Sequence, residues 1–377
     1  MSRALYIAST PLIALEAAGA ALAQPGTRAW LLLLRDFDRA AEFATLLRGW
    51  RDLPFERIEV LPGRMTEAQE GAGDHPRGIA AALHRARVKR ALRAQTLALM
   101  RAIDAGLAPG AVWVGNDRKV ETQLALHLAS ERTGTRAGRY LDDGLYTYLG
   151  DVRERPLVRR IDWLVKQLAY GRWWQRARRA GTTSWIDSAY LAYPALAPHA
   201  NAVALPREWF LRRAFVRLAL HAARSFRLDR GRLARVGAVL VLPHSNQLRS
   251  DPEASATLRA LVAELGGGRA LAVKYHPRET ESDPGGLLGS AQTIQLPSLL
   301  PMELLLPLLP AGIRLLGEGS TALMAAHWLR PDLAVCDLGL SRHPYAVRAR
   351  ALFDRLGIVP MRASAPARAS PGQSAYS

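Results

Sequence analysis

The chain is short of several things, and each shortage closes off a class of protein. Cysteine occurs once, as Cys336, in 377 residues, so no disulfide can staple the chain to itself, and a reducing compartment is the matching environment. No stretch reaches the roughly 18 uninterrupted apolar residues that a membrane-crossing helix needs. His and Cys do not cluster at metal-ligand spacing. Acidic residues are scarce, with 33 Asp and Glu against 51 Lys and Arg, which leaves a formal net charge of +18. That surplus suits an anionic partner: nucleic acid, a phospholipid surface, a nucleotide-sugar or an acidic polysaccharide. Part of it reflects an Ala-, Arg-, Gly- and Leu-rich composition of the kind a GC-rich genome produces. Nucleic acid is the weakest of these partners, because the chain has no C2H2 spacing, no aromatic RNA-binding signature and no dense lysine run.

What is present is alternation. "ALYIA" near the start is followed by a helical stretch, then by "AWLLLL" (29–34), a helix through Trp50, "FERIEVL" (55–61) and a long helix from about Gly78 to Gly106. "AVWVG" (111–115), a helix over 119–131 and "GRYLD" (138–142) continue the series. Short apolar runs separated by helices predict a parallel sheet covered on both faces. The opening "MSRALYIASTPLIALEAAGAALAQPG" mimics a signal peptide. Pro11 and Glu16 interrupt its apolar run, and it reads better as a strand over 4–8, a cap at Ser9 or Thr10, and a helix with Pro11 in its first turn.

Residues 151–235 have a different texture. Between Arg153 and Arg179 lie nine basic residues, two acidic ones and Trp163, Trp173 and Trp174. Leu157, Ile161, Leu164, Val165 and Leu168 fall at helical spacing and predict a basic amphipathic helix. A second is predicted with Leu211, Phe215, Leu218 and Ala222 on one face, and Arg212, Arg213, Arg217 and Arg224 around it. Each is either a helix packed on its own domain or an attachment to an anionic membrane or acidic chain. Beyond the polar "DRGRLAR" (229–235) the alternation restarts with "VGAVLVLP" (236–243), a helix over 251–265, "ALAVKYH" (270–276), "IRLLG" (313–317), a helix from Gly319 and "DLAVCD" (332–337). The expectation is α/β with two Rossmann-like domains facing a central cleft: residues 1–235, including the basic helices of 151–235, and residues 236–360. Residues 361–377 have the composition of a disordered tail.

Four motifs stand where such a cleft would be. "DDG" (Asp142, Asp143, Gly144) ends the strand at 138–142, and is either a tight turn or a carboxylate base at the sheet's carboxyl edge. In "KYHPRE", Pro277 stops a strand and leaves His276 at the edge, suited to hydrogen-bonding or protonating a phosphate. "GEGSTALMAA" puts Gly319, Ser320 and Thr321 at a helix N-terminus, where an N-cap or a phosphate would be held. Glu303 is the only charge in the apolar run from Leu296 to Leu309, placed to hold ribose hydroxyls or to point to water.

Taken in chain order, Asp142 to Gly144, Lys274 to Pro277, Pro301 to Glu303 and then Ser320-Thr321, these motifs resemble those of the bacterial sialyltransferases, including the capsule polysialyltransferases and the lipooligosaccharide enzymes. "STPLIALEA" (9–17) is similar to the start of such enzymes, and "VGNDRKVETQ" (114–123) to a polysialyltransferase segment. Thr321 stands where the family often has a second serine. The resemblance implies a GT-B-like fold and an inverting, metal-independent transfer of sialic acid from CMP-sialic acid to a hydroxyl of a cell-surface glycan, with no cofactor. It gives Asp142 the general base and Asp143 a structural or acceptor-orienting role. His276 would protonate or stabilise the departing phosphate, with Ser320 and Thr321 assisting. Lys274 and Pro277 would lie on the nucleotide side, with Lys274 toward cytosine and Glu303 on the ribose. The expected location is the cytoplasm, with a peripheral hold on the inner membrane face. Two other readings remain: a GT-B enzyme using CMP-Kdo or a UDP-sugar, and a non-catalytic basic protein that binds membrane or nucleic acid.

Overall fold

The structure is a computed structural model that describes residues 2–37, 39–71, 78–150, 156–177, 179–197, 199–246, 251–266, 269–279, 281–289, 292–342 and 344–361. Arg153, Arg178 and all but the first residue of the expected tail lie outside them.

Two parallel sheets form because the apolar runs are too continuous to leave either face in water. The first holds β1 (Arg3–Ala8), β2 (Arg28–Leu34), β3 (Arg57–Leu61), β4 (Ala111–Val114), β5 (Gly138–Leu141), β6 (Ile186–Leu191) and β7 (Ala202–Ala204). Their order is β3-β2-β1-β4-β5-β6-β7, in register from Arg3 opposite Arg28 through Ala8 opposite Leu33. The second holds β8 (Val236–Val241), β9 (Ala270–Lys274), β10 (Thr293–Leu296), β11 (Arg314–Gly317), β12 (Ala334–Asp337) and β13 (Val359–Pro360), ordered β10-β9-β8-β11-β12-β13. Both orders reverse beside their first strand, between β1 and β4 and between β8 and β11. That reversal opens a crevice at the carboxyl ends of the strands.

Helices fill the crossovers: α1 (Pro11–Leu22), α2 (Ala40–Arg48), α3 (Arg64–Gly71), α4 (Ile79–Leu107) and α5 (Val120–Thr133). Thr10 caps α1, its Oγ1 accepting from the Ile13 N–H at 3.3 Å, and Pro11 takes the first turn, where no N–H is needed. Apart from Glu16, α1 is apolar, and it is buried from Ile13 to Ala21. Gly19 lets it approach the chain beyond the sheet, since a Cβ there would sit 2.8 Å from Cβ of Trp209.

Residues 145–235 contain more than the two helices that the sequence predicts. α6 (Leu145–Leu149) follows the DDG turn, and α7 (Pro156–Tyr170) stops well short of Arg179. β6 and β7 then extend the first sheet, and α8 (Glu208–Leu211), α9 (Arg213–Ser225) and α10 (Arg230–Leu233) lead to β8. The two basic helices part company. α9 buries Phe215, Leu218 and Ala222, packs against α2 and reaches across to the second half. Arg217 forms a fork with Asp52 at 2.6 and 2.7 Å. Leu211 does not share that face; it belongs to α8 and is exposed. On α7, Leu164, Val165 and Leu168 are exposed, Leu168 to 88%, so its apolar side does not pack on the body of the protein. Leu157 and Ile161 carry side chains outside those described. Trp174, expected at the surface, is buried, and Trp173 stacks on His127 at 5.8 Å.

The second half adds α11 (Pro252–Gly266), α12 (Met302–Leu305), α13 (Thr321–Leu329) and α14 (Pro344–Leu356). One apolar cluster runs from β1 and β2 through Trp209, Phe215 and Leu218 into Leu304, Leu305 and Leu315. The two sheets therefore share a core beside the crevice. Among the described residues, no helix is long and apolar enough to cross a membrane.

Candidate active site

The crevice is a cavity of about 530 Å³ between the carboxyl ends of the two sheets. Thr10 and Pro11 from the β1–α1 turn line it, as does Asp143 after β5. The second half contributes His244 after β8, Lys274 to Arg278 after β9, Pro301 to Glu303, and Glu318 to Thr321 after β11. Asp143, Lys274, His276, Pro277, Glu303, Gly319, Ser320 and Thr321 line this cavity, whereas Asp142 and Gly144 lie behind it.

The two aspartates have separate positions. Asp142 turns inward, 2% exposed. Its carboxylate accepts from the Gly144 N–H at 3.0 Å, from the Ala192 N–H at 2.9 Å and from the Tyr148 hydroxyl. All of its strong hydrogen-bonding directions are spent on holding the turn against β6 and α6. Asp143 faces the cavity, and its carboxylate accepts no hydrogen bond from a described residue. Burial and the neighbouring charge of Asp142 push it up to about 8, with Lys119 and Arg64 pulling the other way. Burial likewise raises Asp142. Two adjacent carboxylates out of bulk water cannot both ionise cheaply. Asp142 thus has the enclosed, hydrogen-bonded surroundings and Asp143 the open ones.

A third carboxyl lies behind them. Glu16 of α1 is 2% exposed, with Oε2 unpartnered. Burial and the charges of Asp142, Asp143 and Glu303 raise it well above the usual range. The sequence reading used Glu16 only to reject a signal peptide. A carboxylate in the middle of an otherwise Ala- and Leu-rich helix was the signal that could have found it.

The second half presents donors. Nδ1 of His276 accepts from the Arg278 N–H at 3.2 Å, so the Nε2–H tautomer is left to donate. Burial, with Arg278 and His244 nearby, lowers His276 to about 4. In the free protein this favours a neutral imidazole that can donate a hydrogen bond. His244 was missed by the sequence reading. Its ring centroid lies 5.5 Å from that of His276, and its Nδ1 lies 3.4 Å from Glu279. The clue was present, since "LPHS" ends β8 as "KYHP" ends the adjacent β9.

Lys274 is buried and spends its ammonium on the carbonyls of Ser298 (2.6 Å) and Pro297 (3.4 Å). Burial lowers it to about 8. It shapes the wall where Glu303 begins α12, and Glu303 is itself buried and raised by burial. Ser320 caps α13, Oγ accepting from the Ala322 N–H at 3.1 Å. Thr321 crosses the crevice instead. Its Oγ1 accepts from the Leu145 N–H at 3.3 Å, and its methyl fills the space that a Cβ on Gly144 would occupy, 2.1 Å away. Gly144 has φ +63°, which favours glycine independently.

The sequence also carries one Asp-x-Asp, Asp36-Phe37-Asp38, a form associated with metal-bound nucleotide-sugars. Asp36 is committed to Lys119 and to the Arg64 N–H (2.8 Å), and Asp38 lies outside the described residues. No group of three His, Cys, Asp or Glu among the described residues could hold a metal ion.

No family model and no curated protein sequence matches the chain. Solved structures do. The α/β-galactoside α-2,3-sialyltransferase of Photobacterium phosphoreum aligns over 95% of this chain and 98% of its own, with TM-score 0.57 and 10% identity. UDP-GlcNAc 2-epimerase from Neisseria meningitidis, bound to UDP-GlcNAc, aligns over 95% and 87%, with TM-score 0.50 and 10% identity. The 2,6-sialyltransferase of Photobacterium sp. JT-ISH-224, in complex with CMP and lactose, aligns over 95% and 78%, with TM-score 0.50 and 12% identity. At these identities the likeness is one of architecture, and the chain has the GT-B-like fold.

Proposed function

We propose that the chain is an inverting glycosyltransferase of the sialyltransferase type, moving sialic acid from CMP-sialic acid to a hydroxyl of a cell-surface glycan. The observation that carries this is a single cavity with an unspent carboxylate, Asp143, on one wall and a neutral imidazole beside a helix N-terminus on the other. Displacement with inversion needs a base on one side of the sugar and a stabilised leaving group on the other. In this reading Asp143 removes the proton of the acceptor hydroxyl as its oxygen attacks the anomeric carbon. The bond from that carbon to the phosphate oxygen breaks, and CMP leaves with the electron pair. His276 donates from Nε2 to the phosphate, and the N-terminus of α13 opposes its charge. Glu303 is placed for the ribose, and the buried Lys274 sets the wall behind it. Residues 236–360 form the donor half and 1–235 the acceptor half.

The UDP-GlcNAc complex of one fold relative supports a second reading, in which the same cavity takes a UDP-sugar. A thermal-shift series with CMP, UDP and GDP separates them, because only the fitting nucleotide raises Tm appreciably. Stabilisation by UDP and not CMP would replace the first reading with the second. The exposed ridge of Trp163, Leu164 and Leu168 on α7, with Arg172 and Arg179 nearby, supports a peripheral hold on an anionic membrane.

A further inference from the structure

Two histidines stand side by side on the donor wall of the crevice, and the proposed transfer uses only His276. His244 follows β8 as His276 follows β9, and the two strands pair in the second sheet. Both side chains line the cavity, with their ring centroids 5.5 Å apart. The backbone fixes the two rings in the same way. Nδ1 of His244 accepts from the Asn246 N–H at 3.2 Å, two residues on, just as Nδ1 of His276 accepts from the Arg278 N–H at 3.2 Å. An imidazole that accepts at Nδ1 carries its hydrogen on Nε2, so each ring brings one N–H donor to the cavity. Their backing differs. The Glu279 side chain, 4% exposed, is held by the Ser245 N–H at 2.5 Å and the Ser245 hydroxyl at 2.9 Å. Its Oε1 lies 3.4 Å from Nδ1 of His244. A second proton on His244 would therefore face a carboxylate, and Nε2 would still donate. Lys274 on the same wall is spent on the Ser298 and Pro297 carbonyls, so it does not compete for an anion there.

We propose that His244 is a further donor-site residue: its Nε2–H and that of His276 clasp the phosphate of the nucleotide between them, one oxygen to each ring. The proposal rests on the reading of this cavity as the site of a nucleotide donor. Two N–H groups fixed by the backbone on adjacent strand ends suit two oxygens of one phosphate, and hydrogen bonds to an anion are stronger than those between neutral groups. The test is titration calorimetry of CMP against cytidine, which lacks the phosphate, on the wild type, His244→Ala, His244→Gln, His276→Ala and the double alanine variant. The wild type should prefer CMP. His244→Ala should cut that preference about 10-fold, with cytidine affinity and Tm as in the wild type. His244→Gln keeps an N–H donor and should retain part of the preference. The double variant should lose less than the product of the single losses, because a phosphate freed from one ring is held more loosely by the other. An unchanged preference in His244→Ala, or a fall in cytidine affinity equal to the fall in CMP affinity, would overturn the clasp. Losses that multiply would place the rings on separate groups and overturn it as well. Failure of the wild type to bind CMP would instead remove the CMP reading of the cavity, and UDP against uridine then tests the same clasp. Binding of neither nucleotide would remove the donor site and the clasp together.

Discussion

The two halves of the molecule are built on the same strand order, yet they bring opposite chemistry to the crevice. The first half delivers carboxyls: Glu16 from α1 and Asp142 and Asp143 after β5, all raised by burial. The second delivers donors: His276 after β9, the capped start of α13, and a buried lysine that braces the wall. A duplicated fold can thus divide a displacement reaction between proton removal and charge stabilisation, because each sheet presents its strand ends to the same space. The division makes separable predictions.

The largest effect should come from the acid side. Asp143→Asn should lower turnover by about 10²-fold or more and leave CMP affinity near that of the wild type. Full activity in that variant, with an inactive but folded Asp142→Asn, would restore the roles implied by the resemblance. The wild-type rate should also rise with pH along a limb centred well above the ordinary carboxylate range. The base works deprotonated, and Asp143 holds its proton to about 8. A limb near pH 4 would count against Asp143.

A smaller effect belongs to the donor side. His276→Ala should weaken CMP binding roughly 10-fold, about 1.4 kcal/mol, the range of one hydrogen bond to a charged group. Calorimetry showing equal loss in Asp143→Asn would erase the division between the halves.

The expected legibility of this site can be judged on the same residues. The strand ends were readable because Val, Leu and Ile runs stop at Asp-Gly, His-Pro and Gly-Ser, and such stops mark carboxyl edges. β6 and the edge strand β7 were not: Asp187 and Ser188 break the apolar run of "IDSAYL", "AVA" has only three residues, and both follow arginine-rich sequence that dominates the pattern. β10 was hidden because "TIQL" merges with the apolar run that follows it. Which aspartate faces the cavity could not be read from a doublet, because the answer depends on Tyr148 and Ala192, the latter 50 residues away. Trp174 and the apolar side of α7 show the same limit: helical spacing identifies a face, but the neighbour that covers it comes from elsewhere in the chain.

A further difference concerns the outer surfaces. Of the two basic helices of the first half, α7 exposes its ridge, while the matching face of α9 is buried. Trp163→Gln with Leu168→Gln should reduce pelleting with anionic vesicles several-fold and leave Tm unchanged. Unaltered pelleting would make the ridge an ordinary surface. The smallest effect on turnover should be that of Glu16→Gln, which copies the protonated form that burial and the neighbouring carboxylates favour. A carboxyl raised on folding costs stability as pH climbs above its unfolded value, so the Gln variant should melt higher than wild type in alkaline buffer. Equal melting curves from pH 5 to pH 9 would show that Glu16 ionises freely.

Thr321 seated in the hollow of Gly144 turns the crevice into a joint with a detent. The turn that carries Asp143 and the start of α13 are pinned to each other by a methyl group and one hydrogen bond. Neither half can therefore swing without lifting that plug. A serine at 321 would keep the hydrogen bond and lose the plug, giving a looser detent, whereas any side chain at 144 would hold the joint ajar. The threonine that stands in place of a second serine thus supplies the methyl group that holds the turn of Asp143 against the start of α13.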